Sequence, residues 1–207
     1  MKSSWLDPAE TLGEHVARLA AIEAEVDAVH VWQPMLIPGL LQSYGYAAAS
    51  IHAAAPALPL DVVGERADAR RQRLDRLGRP GRRSITAIID ESALYRPVGG
   101  YTALVDQLEH LLTVEALQPT LTVRVLPQGI DAHPGLIGAF TLYRSDGQQA
   151  VFVESLTSSE ISTRPEDVAA YRSAWDRLLG LALPARDSVE LIDGTRETLW
   201  RRLKTSR

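Results

Sequence analysis

The chain has 207 residues, no cysteine and a formal net charge of −4. Disulfide frameworks, thiolate metal sites and cysteine nucleophiles are therefore excluded, and the charge argues against a whole-surface electrostatic footprint for DNA. The longest apolar stretch, around Met35 to Leu41, is cut by Pro34, Pro38 and Gly39, far short of the ~20 residues that span a bilayer, and the first residues lack the basic start and apolar core of a signal peptide. A cytoplasmic protein is expected.

In chain order, Leu12, Val16, Leu19, Ile22, Val26 and Val29 recur at steps of three and four, which predicts an amphipathic helix over about 8–31. Asp7, Pro8 and Glu10 read as its N-cap, first helical position and capping-box partner. Its apolar stripe suits core packing, or else a dimer seam or a lever to a second domain. Trp32 to Gln42 is a proline-shaped, turn-rich entry to a helix ending near Ala54. Pro56 to Pro59 breaks the chain. Leu60 to Leu77 is a helix with many charges; its arginines, Arg71 among them, alternate with Glu65, Asp68 and Asp75, which suits a solvated face with local ion pairs better than a nucleic-acid surface.

From Ser84 the texture becomes β. Ile85–Asp90 and the alternating Leu121–Leu126 read as strands on either side of a helix over Val98–Leu117, implying a right-handed crossover and a parallel pair. Ala139–Arg144 and Ala150–Glu154 flank Asp146-Gly147, a hairpin signal. Pro165–Leu183 and Ser188–Arg207 close the chain as helices. The expected fold is α+β: a small mixed sheet of about four strands with a strand-helix-strand crossover, flanked by several helices. A helical portion over 1–83 and a sheet-containing portion over 84–207 form one compact unit.

If the hairpin returns beside the crossover, three strand ends meet on one edge and gather polar groups. Asp90, Glu91, Arg96, His133 and Glu154, with Arg71 from the preceding helix, are the candidate ligand-binding residues, because open sheets with parallel strands receive ligands at their carboxyl ends. Each also has a plain structural reading: Asp90 and Glu91 as caps of the next turn, Arg96 as an ion-pair partner, His133 as a loop residue and Glu154 as a solvated strand end. Glu91, His133 and Glu154 could share acid and base roles or hold a metal, but no paired metal-ligand spacing, phosphate loop, dinucleotide turn or nucleophile elbow occurs. No metal and no cofactor is expected.

Leu36-Ile37-Pro38-Gly39-Leu40-Leu41-Gln42-Ser43 with Tyr46-Ala47, Arg71-Gln72-Arg73-Leu74, Asp90-Glu91-Ser92-Ala93-Leu94 with Val98-Gly99-Gly100, Gln107-Leu108, Val123-Arg124-Val125-Leu126-Pro127, His133-Pro134-Gly135, Phe140 and Val153-Glu154 follow one another in an order that resembles the domain of unknown function found C-terminal to Xre-type helix-turn-helix regulators of actinobacteria. The resemblance spans about Trp5 to Ile192. It implies a cytoplasmic regulatory module that responds to a small-molecule effector or a small partner protein, with no ligand or reaction to carry over. Members carry a helix-turn-helix module before the first long helix, and this sequence starts without one. Either the chain is trimmed or it is a stand-alone copy, and no direct DNA binding by it is expected. The alternative is an enzyme repurposed from this domain, acting on a small molecule through Glu91, His133 and Glu154.

Overall fold

In a computed structural model, residues 21–23, 25–77, 84–155 and 159–205 are described. The cap at Asp7–Glu10 and the stripe residues Leu12, Val16 and Leu19 lie outside them. The described end of that stripe, Ile22, Val26 and Val29, is buried in the main core.

A helical segment ends at residue 25, and the chain then extends as strand β1 (Ala28–Gln33). This corrects the expected helix to residue 31. Val26 and Val29 fit a helical step, but the run Val29-His30-Val31-Trp32 is β-branched and aromatic, and as a strand it buries side chains on both faces. Helices α1 (Tyr44–Ala54) and α2 (Leu60–Leu77) follow, then β2 (Ser84–Asp90), α3 (Gly100–Leu117), β3 (Leu121–Leu126), β4 (Phe140–Ser145), β5 (Gln148–Glu154), β6 (Ser159–Ser162), α4 (Pro165–Leu181) and α5 (Ala185–Thr205).

The sheet has six strands in the order β3-β2-β1-β4-β5-β6, two more than expected. Besides β1, the addition is β6, whose four residues Ser-Glu-Ile-Ser are too few and too polar to carry a strand pattern. The expected parallel pair across α3 is β2 and β3. The hairpin strand β4 pairs antiparallel with β1 and not with either of them, so β1, parallel to β2 on its other side, is the centre of the sheet.

Alternation along the strands sorts the core into two layers. Val29, Val31, Ile85, Ala87, Ile89, Val123, Val125, Tyr143 and Ala150 face one way, toward α3, α5 and the end of α2. Trp32, Ile88, Leu126, Phe140, Leu142 and Val151 face the other, toward Trp175 and Leu178 of α4. The β3 edge of the sheet is closed by the link between α4 and α5. The Val125 N–H donates to Ser188 Oγ at 3.0 Å, its carbonyl accepts from the Leu183 N–H at 2.8 Å, and Arg124 Nε donates to the Leu183 carbonyl at 2.6 Å. At Val125 the edge-facing N–H and carbonyl, which would otherwise be open to another chain, are thus satisfied internally.

Ser188 is fully buried, so Ser188→Ala leaves a buried N–H with no acceptor and is expected to cost about 1–3 kcal/mol. Urea unfolding monitored by Trp fluorescence checks this; a change within ~0.5 kcal/mol would show that the edge is satisfied in another way.

Candidate functional site

The loop after β1 is held from inside. Gln107 of α3, fully buried, uses its whole amide on this loop: Nε2 donates to the Leu41 carbonyl at 2.8 Å and Oε1 accepts from the Ser43 N–H at 2.7 Å. Gln42, also buried, donates from Nε2 to the Ile37 carbonyl at 2.8 Å, and the Ile37 N–H reaches the Tyr46 hydroxyl at 3.4 Å. With both prolines fixing φ, this leaves Gln42 Oε1 aimed outward from a rigid turn at the carboxyl end of β1.

That oxygen meets Arg70. On α2 the residues turned inward are Val63, Ala67 and Leu74, and Arg70 occupies the intervening place in the same stripe, half-buried. Its Nη1 donates to Gln42 Oε1 at 2.6 Å and to Ser50 Oγ at 2.9 Å. Both acceptors are neutral. Burial lowers the Arg70 pKa from its ordinary value, while Glu154 at the end of β5 pulls the other way and Arg73 and Arg66 add to the lowering. Among the described residues, no carboxylate pairs with Arg70 directly.

Arg73, three residues on, is in the opposite condition. Its Nη2 and Nε reach the Glu23 carboxylate at 2.5 and 3.1 Å, and the Tyr143 hydroxyl donates to the same carboxylate at 3.2 Å. Glu23 is 5 % exposed and Tyr143 2 %. Burial works against the Arg73 charge, but Glu23 more than offsets it and raises the pKa above the usual guanidinium value. Burial, with the Glu23 carboxylate adding to it, pushes the Tyr143 phenol above its ordinary range. The two arginines therefore divide the work on this face of the sheet. Arg73 is neutralised and pins the segment before β1 to α2; Arg70 is desolvated and held by dipoles alone.

The residues singled out from the sequence are distributed as follows. Glu154 ends β5, exposed, within the field of Arg70 and Arg73. Asp90 caps the turn after β2, its Oδ1 accepting from the Ser92 N–H at 2.9 Å, and Glu91 accepts from the Gln128 N–H at 2.8 Å, tying that turn to the loop after β3. Arg96 is exposed and acts through space on Tyr46. Arg71 is exposed and pairs with Asp68 at 3.8 Å. His133 stands edge-on to Trp32 at 5.9 Å between ring centres, on the α4 face. Asp90 and Glu91 are brought together, and Glu154 joins Arg70 and Arg73. Glu154 and Glu91 are not neighbours: β1 and β4 lie between their strands, a lateral offset of about 14 Å at ~4.8 Å per strand. Sequence reading passed over Arg70, Gln42 and Gln107 as site residues. The available signal was the spacing 63, 67, 70, 74, which puts an arginine on the inward stripe of a helix. Among the described residues, no group of three or more His or carboxylate side chains could hold a metal ion, and no helix is long and apolar enough to cross a membrane.

Gln42, Arg73, Gln107 and Glu154, which come from four of the strings quoted above, converge on this face. A family model described as a domain of unknown function (DUF5753) matches residues 16–194. The chain belongs to the DUF5753 family. No curated protein matches it. The matched span of this DUF5753 chain takes in every strand of the sheet and all of the residues that surround Arg70.

Two measurements test the division between the arginines. Glu23→Ala strands a largely buried cation and is expected to cost on the order of 3 kcal/mol, whereas Arg71→Ala, breaking an exposed pair, should stay within about 0.5 kcal/mol; equal effects in urea unfolding would refute the contrast. For Tyr143 the folded-state pKa is raised, so the native state keeps a proton that the unfolded chain releases. Its contribution is fully present below the unfolded value of about 10 and is lost as pH rises beyond it. Tyr143→Phe should flatten the fall of stability above about pH 10, and an unchanged slope would exclude Tyr143 as its source.

Proposed function

We propose that this chain is the ligand-sensing regulatory domain of a bacterial transcriptional regulator family, of the kind found C-terminal to Xre-type helix-turn-helix modules in actinobacteria. The effector is a small molecule with an anionic group that seats beside Arg70. The observation that carries this reading is a half-buried guanidinium whose hydrogen bonds go to the neutral acceptors Gln42 Oε1 and Ser50 Oγ. A desolvated cation without a counter-charge is an anion site in waiting, because a bidentate carboxylate or phosphate supplies what the amide and hydroxyl dipoles do not. Glu154, close enough to act electrostatically but not paired, favours an effector that also presents a hydrogen-bond donor or a positive group.

Position supports the same reading. The order of the strands reverses around β1, and ligands of open sheets gather at the carboxyl ends of strands at such a point. The loop that presents Gln42 starts there. The neighbouring Arg73–Glu23 bond joins the site to the segment through which residues N-terminal of β1 enter the sheet, which is the connection a regulator needs. An enzyme acting through Glu91, His133 and Glu154 together has less support, since these side chains lie on different strands and loops.

Thermal unfolding with a panel of small carboxylates and phosphates tests the proposal. At least one should stabilise the wild type, by about 2.7 kcal/mol at a hundredfold excess over Kd, and Arg70→Met should abolish that shift while remaining folded. The reading fails if no anion in the panel stabilises the wild type, or if Arg70→Met is stabilised equally.

A further inference from the structure

The opposite face of the sheet carries a separate opening. Between the loop after β3 and α4 lies a cleft of about 420 Å³, lined by His133, Pro134, Ala170, Ser173, Ala174 and Arg177. The cleft is broad, shallow and open to solvent. Its lining is of mixed chemistry. Ala170, Ala174 and Pro134 are small and apolar, while Ser173 and Arg177 project from the same side of α4, at i+3 and i+7 from Ala170.

One polar group at this cleft has a demand that the fold does not meet, and a second, the exposed Arg177, keeps most of its donors toward solvent. Among the described residues, Arg177 makes one long hydrogen bond, from Nη2 to the Ala132 carbonyl at 3.4 Å, and no ion pair. The His133 Nδ1 is sealed from solvent and has no hydrogen-bond partner, which is rare for a buried side-chain nitrogen. Turning the imidazole over about its bond to Cβ would exchange Nδ1 with a ring carbon, so the ring can offer a nitrogen to an incoming group with no hydrogen bond to break. The backbone beneath it is fixed. The Trp32 Nε1–H donates to the Gly135 carbonyl at 3.0 Å, and a Cβ at position 135 would stand 2.6 Å from the Trp32 ring, so only glycine lets the loop lie this close. His133 is therefore a loop residue on a rigid support, not on a mobile one.

We infer that this cleft is a second ligand site, independent of Arg70, for a small organic anion with an apolar body: Arg177 and Ser173 take the carboxylate or phosphate, His133 offers a further hydrogen bond, and the alanine and proline surface takes the body. The exposed Arg177 has its planar fork free of any carboxylate among the described residues and can take a planar, charged acceptor bidentately, and the alanine and proline lining suits an aryl or short alkyl group.

The test is a titration followed by amide chemical shifts of the whole chain, with benzoate and phenyl phosphate as probes and benzamide as the neutral control. Either anion should shift the amides of Ala132, His133, Ser173 and Ala174 saturably in the millimolar range, and benzamide should not. Arg177→Gln should weaken binding at least ~10-fold, the loss expected when a charge-assisted hydrogen bond is removed, while Arg70→Met should leave it unchanged. The inference is overturned if neither anion shifts these amides, if Arg177→Gln binds as well as the wild type, if benzamide binds equally, or if Arg70→Met removes the shifts, which would place the anion at the other face. Failure here leaves the Arg70 reading standing, and a silent Arg70 site leaves this one standing.

Discussion

Strand β1 is covered on both faces and paired on both edges, and the other elements take their places from it. Val29 and Val31 enter one core layer and Trp32 the other, with β2 parallel on one side and β4 antiparallel on the other. Its carboxyl end therefore serves two constructions at once. Past Gln33 the chain turns into the proline-braced loop that Gln107 fixes and Gln42 completes. One residue earlier, the indole of Trp32 holds the Gly135 carbonyl and so sets the loop that carries His133. A strand buried in this way cannot shift register by one residue without exchanging its valines for Trp32 across the sheet, which fixes the loop that carries Gln42 and the loop that carries His133.

Within the layer of α2, a paired and an unpaired guanidinium are separated by one turn of helix. The Arg73–Glu23–Tyr143 cluster is satisfied, as buried ions must be. Arg70 is satisfied only in part: its Nη1 is hydrogen-bonded, its charge is not balanced. Proteins tolerate such a group where surrounding structure over-determines it, and here Val63, Ala67 and Leu74 anchor α2 on either side of it. Replacing Arg70 by an apolar residue of similar length would fill the inward stripe of α2 but leave the buried Gln42 Oε1 with only the Ser50 hydroxyl at 3.4 Å, so the arginine also helps to hold the loop after β1.

What the sequence made legible follows from where local and tertiary preferences agree. Leu60–Leu77, the α3 crossover and the hairpin at Asp146-Gly147, where Gly147 adopts φ +77°, are all signalled by period or turn chemistry within a few residues. Strand β1 was hidden because a strand buried on both faces lacks clean alternation and because Val26 and Val29 continue a helical step by coincidence. The pairing of β4 with β1 joins residues more than a hundred positions apart, and no local pattern encodes it. Glu154 was legible as a polar strand end. Arg70 was not, because among five arginines on one helix its charge suggested solvent, while its phase on the helix pointed inward; phase was the better guide.

A sensing domain also needs an element that an effector can bias, since a ligand shifts an equilibrium only by its differential affinity for two states. On the proposed reading, that element is the Glu23–Arg73 bond. Arg70 and Arg73 already act on one another electrostatically, and residues three apart on a helix are neighbours. An anion beside Arg70 would repel the Glu23 carboxylate, and that repulsion is relieved when the Glu23–Arg73 bond opens. An effector at Arg70 would, on that reading, loosen the hold of α2 on the segment before β1, a response that an uncharged residue at either position could not give.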